Sequence, residues 1–318
     1  MKHPFFTISL DFELFWGMRD VTSLKYYGKN ILGGREAIPK ILNLFEKESI
    51  RATWGVVGFI TFSNKTDLLD SLPDYLPVYK DKKLNPYLGL DKIGKNEKED
   101  PYHFGHSLVK QILETEGMEI ASHSFSHFYC KEKNENEHSF DSDLKASLNS
   151  LNRLGVQPKS YIFCRNQYDK SHLRILKKNG FRVFRGNEKS MIFNPKANRI
   201  IRATRMLDSY INLSGPNLSD LSLKEGLIDV PSSRFLRPSQ RKILDKLRLN
   251  RIFFSMTEAA KQNSGFHLWW HPHNFGLNLE QNLSILKKIL NHFHYLSKKY
   301  NMQSLNMIES SKLFKLDD

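Results

Sequence analysis

The chain has 318 residues, of which 40% are hydrophobic and 12% aromatic, with 17 Gly, 12 Pro and 2 Cys. This composition supports a sizeable buried core. It excludes a disordered or collagenous chain, a disulfide scaffold and a Cys₄ zinc site. Lys and Arg number 48 against 34 Asp and Glu, a formal charge of +14. A Lys- and Asn-biased composition accounts for that charge as readily as an anionic lipid or a phosphorylated substrate does. A recognition helix, zinc finger or aromatic platform is not visible, so nucleic acid is not an expected partner.

The longest apolar stretch, Trp54–Phe62, falls short of the roughly 18 residues a membrane span needs. At the N-terminus Phe5, Phe6, Ile8 and Leu10 meet Asp11 and Glu13 without the small-residue cleavage site of a secretory signal. The expectation is a cytoplasmic protein, docked at most on the inner membrane face.

In chain order, Phe5–Leu10 reads as a buried strand. Gly33 and Gly34 open a helix over Arg35–Lys47, with Ile38, Ile41, Leu42 and Phe45 at helical spacing, and Ala52–Gly58 is a second strand. Strand, helix and strand within about 55 residues favour a parallel βα arrangement. Residues 63–105 hold Pro73, Pro77, Pro86, Pro101 and the charged run Lys92–Asp100, and read as an insertion or lid. A helix at His106–Glu116 leads to a strand, Met118–Ser122, that runs into His123. Then come a helix (Ser142–Leu154), a strand (Tyr161–Phe163) ending at Cys164 and Arg165, a helix (Ser171–Asn179) and a strand (Phe181–Phe184). Residues 208–252 read as a second insertion. Phe266–Trp270 is a late strand running into His271, Leu279–Tyr300 a long helix and Ser304–Ile308 a closing strand. With no internal repeat, the pattern is one α/β domain over residues 1–318. Asp11, His123, Arg165 and His271 all follow strands, and the C-terminal ends of barrel strands build active sites.

Asp11 and Glu13, two apart in extended chain, face the same side. His123 and His127 form H-S-F-S-H; on a helical turn, i and i+4 share a face and can bind one cation. A catalytic zinc-type site needs about three protein ligands and an open position. One carboxylate with His123 and His127 supplies that count and leaves the other carboxylate as a base, with Arg165 placed to hold it ionised. His271 is a general-acid candidate because its ordinary pKa lies near working pH. Arg234, Arg237, Arg241, Lys242, Lys246, Arg248 and Arg251 make a basic run with Ile243, Leu244 and Leu247 between, suited as a helix to an anionic membrane surface or a phosphate pocket. No Walker or Rossmann phosphate loop and no G-x-S-x-G elbow occurs.

These motifs resemble those of the polysaccharide deacetylases (carbohydrate esterase family 4, the NodB-homology superfamily). Ile8–Glu13 resembles the family's first motif, Ala52–Gly58 its second strand and Gly117–His127 its histidine motif, the most specific piece. Arg165–Tyr168 stands at the arginine motif, and His271 at the last histidine. The resemblance implies a distorted (β/α)₇ barrel and a divalent metal, Zn²⁺ first with Co²⁺ or Ni²⁺ as alternatives, held by Glu13, His123 and His127. It also implies Asp11 as base. The departures place the chain in a divergent branch, similar to members that accompany surface-polysaccharide biosynthesis. Asp11-Phe12-Glu13 replaces the adjacent Asp pair, so the acid roles can be exchanged. Gln167 replaces a proline, and the Asp-plus-Trp motif that supports the catalytic His is not found. The expected activity is removal of an acetyl group from a nucleotide- or lipid-linked sugar precursor, with peripheral membrane contact through 234–251. The alternatives are a metal-independent, allantoinase-like amide hydrolase, since those relatives also keep a His-Pro like His271-Pro272, and a non-catalytic barrel that binds glycan or lipid.

Overall fold

Alternation along the first strand sets the architecture. In β1 (Phe5–Phe12) the side chains of Phe6, Ile8, Leu10 and Phe12 enter the main apolar cluster, while Thr7, Ser9 and Asp11 alternate with them. All eight positions are buried. β1 pairs in parallel with β2 (Ala52–Val56) on one side and β9 (Gly265–Trp270) on the other. Helices cover its apolar face: Ile31, Ile38, Ile41 and Phe45 of α1 (Leu24–Lys47) belong to the same cluster. The computed structural model describes residues 3–133, 136–188, 204 and 206–315.

From β2 the sheet continues in parallel through β3 (Met118–Ser122), β4 (Ser160–Tyr161) and β5 (Val183–Phe184). A bent segment closes the ring. An antiparallel edge strand, β6 (Ser222–Lys224), leads into β7 (Leu227–Asp229), which pairs in parallel with β5. Five residues after β7, β8 (Arg234–Phe235) begins and pairs in parallel with β9. Between them the Ser232 N–H donates to the Gly186 carbonyl (2.9 Å) and the Ser233 N–H to the His267 carbonyl (2.8 Å). Pro231 stands in this bend, where it has no N–H to leave unpaired. With β7 and β8 as one bent position, the parallel strands form a distorted (β/α)₇ barrel, the expected fold. β10 (Gln303–Ser304) extends the sheet at the start of β1.

The connecting helices are α1, α2 (Lys65–Leu69), α3 (His106–Glu114), α4 (Glu137–Asn152), α5 (Lys170–Lys178), α6 (Lys242–Lys261), α7 (Leu279–Tyr300) and α8 (Met307–Ser311). No helix among the described residues is long and apolar enough to cross a membrane. Residues 63–105 pack on the loops after β1 and β3: the Phe15 and Lys80 N–H groups donate to the carbonyls of Tyr102 and Lys133.

Four local expectations are corrected. Residues 208–252 are not simply an insertion, because they carry β7 and β8 and close the barrel. The basic run is not one helix: it spans β8, a loop and α6. Arg234, Arg248 and Arg251 are buried, Arg234 and Arg251 on Asp208 and Arg248 on Asp245. The strand expected over Ser304–Ile308 is the two-residue β10, Gln303–Ser304, and Met307 and Ile308 already belong to α8. Finally, Gly33 and Gly34 do not open a helix but lie inside α1. They let α1 press onto the loop after β9, where a Cβ on Gly33 would stand 2.1 Å from the Gly276 carbonyl oxygen and one on Gly34 2.7 Å from the His273 Cα.

This contact fixes the loop that carries His271. In an open helix Gly→Ala stabilises by about 1 kcal/mol, but overpacking a rigid backbone costs about 1–3 kcal/mol. Gly33→Ala is therefore expected to lower the free energy of unfolding by about 1–2 kcal/mol in urea titration; a gain in stability would contradict the packing described.

Candidate active site at the barrel mouth

The C-terminal ends of β1, β3 and β9 bring five sequence-identified residues together: Asp11, Glu13, His123, His127 and His271. Asp11 and Glu13 are both buried. The Glu13 carboxylate lies among three imidazoles. Its Oε2 is 2.9 Å from His127 Nε2 and 3.4 Å from His123 Nε2, and its Oε1 is 3.7 Å from His271 Nε2. Asp11 Oδ2 is 3.7 Å from the same His271 nitrogen.

Arg165, expected to hold the base, lies elsewhere. Its backbone is left-handed (φ 53°), as is that of Asn166, and its guanidinium pairs with Asp20, approaches Glu132 at 3.5 Å and stacks on Tyr129. The cation on Asp11 is Arg185, one residue beyond β5. Its Nη1 and Nη2 donate to Asp11 Oδ1 (2.5 Å) and Oδ2 (2.7 Å) in a bidentate pair. Arg185 is fully buried, lies over the Trp269 ring, and donates also to Ser9 Oγ and Asn166 Oδ1. The sequence reading stopped at Phe184 and missed it. The available signal was position: Arg185 follows a strand as directly as Arg165 does.

The electrostatics follow from this packing. Burial alone would raise the Asp11 carboxyl, but Arg185, then His123 and His271, outweigh it and hold the pKa below the ordinary value. Burial is likewise overcome at Glu13, where the three histidines hold the carboxyl well below the ordinary value. His267, buried inside β9, is pushed down to about 3 by burial and by Arg185. It is neutral there and meets Ser9 Oγ at 2.8 Å.

His123 and His127 do not share a helical turn; they lie on an irregular loop with positive φ at Ser124 and His127. That loop is held from α4. The buried Asp143 carboxylate accepts from the N–H groups of Phe125 (2.8 Å) and Ser126 (3.1 Å) and from Ser126 Oγ (2.5 Å). His123 Nδ1 lies 2.8 Å from the Ile162 carbonyl, which can only accept, so Nδ1 carries the hydrogen and Nε2 is free to ligate. His123 Nε2 is buried with no hydrogen-bond partner among the described residues. An orphaned imidazole nitrogen, a second imidazole and an ionised carboxylate converging on one point fit a divalent cation. Cys164 Sγ groups with the two imidazoles rather than with Glu13: its sulfur and one nitrogen each of His123 and His127 lie within 4.8 Å of one another. Burial would raise the Cys164 thiol, and the two histidines instead draw it down to about 6.

Among the described residues, the group on His271 Nδ1 is an amide and not a carboxylate. Its Nδ1 faces Asn274 Oδ1 at 3.3 Å, its ring stacks on His273, and Phe235 and Trp269 pack edgewise against it. This leaves Nε2 turned toward the two carboxylates.

A sequence profile described as polysaccharide deacetylase matches residues 27–184, a span that contains His123, His127 and Arg165 but neither the acid pair nor Arg185 and His271. No curated protein matches in sequence. Among solved structures, a Mycobacterium smegmatis protein assigned as a polysaccharide deacetylase has a TM-score of 0.61 at 10% identity, over 97% of this chain and 90% of that one. Puue allantoinase has a TM-score of 0.57 at 9% identity, over 97% and 88%. A 4-alpha-glucanotransferase from Thermococcus litoralis has 0.57 at 10% identity, over 99% of this chain and 41% of that one. At such identities these structures share the fold.

Two outcomes follow from the geometry. Arg185→Met removes the main influence that lowers the Asp11 pKa and leaves burial to raise it, so the acid limb of a kcat/KM profile is expected to move to higher pH, with partial return in Arg185→Lys; an unmoved limb contradicts the pair's role. Asp143→Asn loosens the histidine loop and is expected to weaken metal binding roughly 10–100-fold in competition with a chelator.

Proposed function

The chain belongs to the polysaccharide deacetylase family, and from that membership we propose that it is a metal-dependent hydrolase that removes an acetyl group from a sugar. The observation that carries the reading is the division of labour between two buried acids: Glu13 faces the His123 and His127 nitrogens, while Asp11 is locked by Arg185.

Glu13, His123 and His127 would hold the ion, with Cys164 beside them. A divalent ion, Zn²⁺ by the donor set, supplies Lewis acidity toward the acyl oxygen and acidifies a water. Asp11, kept ionised by Arg185, takes the proton from the attacking water. His271, its ring fixed by Asn274 and His273, turns Nε2 toward the cleavage point and gives a proton to the departing amine or alkoxide. Trp269 and Phe235 pack against that ring and limit the water around it. Arg165, paired with Asp20, has no part in holding the base.

The roles separate in experiment. Protein loaded with Zn²⁺, Co²⁺ or Ni²⁺ is expected to bind one ion and release acetate from acetylated sugars. Glu13→Gln and His123→Ala lose the ion and the activity together. Asp11→Asn keeps the ion and loses turnover, and His271→Ala keeps the ion with kcat lowered roughly 10²–10⁴-fold. Acetate release that survives chelation supports the metal-independent amide-hydrolase alternative instead. No bound metal and no acetate from several acetylated sugars overturns the reading.

A further inference from the structure

A cleft of about 470 Å³ opens beside the candidate active site. Asn166 and Trp269 line it, the first bonded to Arg185 and the second packed on His271, so the cleft and the barrel mouth share walls. Its arginines differ in one respect. Arg165 is paired with Asp20, Arg234 and Arg251 with Asp208, and Arg248 with Asp245. Arg237 lines the same cleft half-buried, and among the described residues no carboxylate lies within ion-pair distance of it. Burial, together with the neighbouring Arg248, works against its charge, and the favourable influences on it come from Tyr210 and Glu188.

A half-buried cation beside another cation is costly unless an anion completes it. A guanidinium fork matches a phosphate better than any other common anion-binding side chain does. The rest of the cleft suits an amphiphilic ligand, since Leu249, Ile252 and Ile285 supply apolar wall. A groove between α6 and α7 shares Leu249 and Ile285 with the cleft and adds Lys242, Lys246 and Lys288. Three of the seven cations of the basic run are consumed by internal pairs, and of the other four Arg237 is the one that lines this cleft.

We propose that the cleft is a phosphate subsite: the acetylated sugar carries a phosphate or pyrophosphate ester, which lies on Arg237 while the acetyl group enters the barrel mouth past Trp269. This deepens, and rests on, the deacetylase reading. A nucleotide and a polyprenyl chain are the two sources of such an ester, and they share the phosphate chemistry that Arg237 recognises.

The test separates the subsite from the reaction by measuring binding first. Chelator-treated full-length protein is titrated with uridine diphosphate and with farnesyl phosphate by calorimetry. At least one is expected to bind, and Arg237→Gln to weaken that binding at least tenfold, with partial recovery in Arg237→Lys. The tighter of the two ligands identifies the source. Unaltered circular dichroism and thermal midpoint show that the variants fold. Turnover is then compared on an acetylated sugar 1-phosphate and its neutral methyl glycoside. The wild type is expected to favour the phosphate in kcat/KM by at least tenfold, mainly through KM, and Arg237→Gln to bring the ratio near one. Binding of neither ligand, or equal binding by wild type and Arg237→Gln, overturns the subsite. If the ligands bind through Arg237 and no acetylated sugar is hydrolysed, the subsite stands and the deacetylase reading fails.

Discussion

Two ionised carboxylates buried two residues apart at the end of one strand are the constraint on which the barrel mouth depends. Neither is stable there without compensation, because an unpaired buried charge costs several kcal/mol. The fold compensates them differently. Asp11 receives a bidentate guanidinium from the end of β5, and Glu13 receives imidazoles from the ends of β3 and β9. This asymmetry gives two chemically similar side chains separate tasks: one is closed to everything but a proton, and the other is open to a cation.

The ring of strands makes this compensation geometrically available. Parallel strands aim all their C-terminal ends at one mouth, so groups distant in sequence meet without long loops. The closing segment 227–235 matters for the same reason. By joining β5 to β9 it sets Arg185 over Trp269 and brings Phe235 against His271. The glycine contact between α1 and the loop after β9 acts from outside, fixing the height at which His271 stands.

What was legible in the sequence was what is local. Asp11 and Glu13 could be read because period-two alternation puts them on one side, and His123 with His127 because an apolar strand leads into them. The parallel barrel followed from strands that alternate with helices and from the family motifs. The partner of Asp11 was not legible: Arg185 lies 174 residues away, and nothing adjacent to it distinguishes it from Arg165. Arg165 is turned outward by a left-handed backbone and drawn off by Asp20, neither of which has a sequence signature. The closing strand escaped because its two parts are three and two residues long and separated by a proline, too short for alternation to register. The Gly33-Gly34 pair misled in a different way. Poor helix formers suggested a helix boundary, whereas tertiary contact required them inside one.

The measurement closest to the central claim is anomalous diffraction from crystals of the protein soaked in Zn²⁺, recorded on both sides of the zinc edge. The account predicts a single strong peak within bonding distance of a Glu13 oxygen and the Nε2 atoms of His123 and His127, with Asp11 still held by Arg185 and out of the coordination sphere. A peak bonded to Asp11, or no peak between the two histidines at saturating zinc, would contradict it.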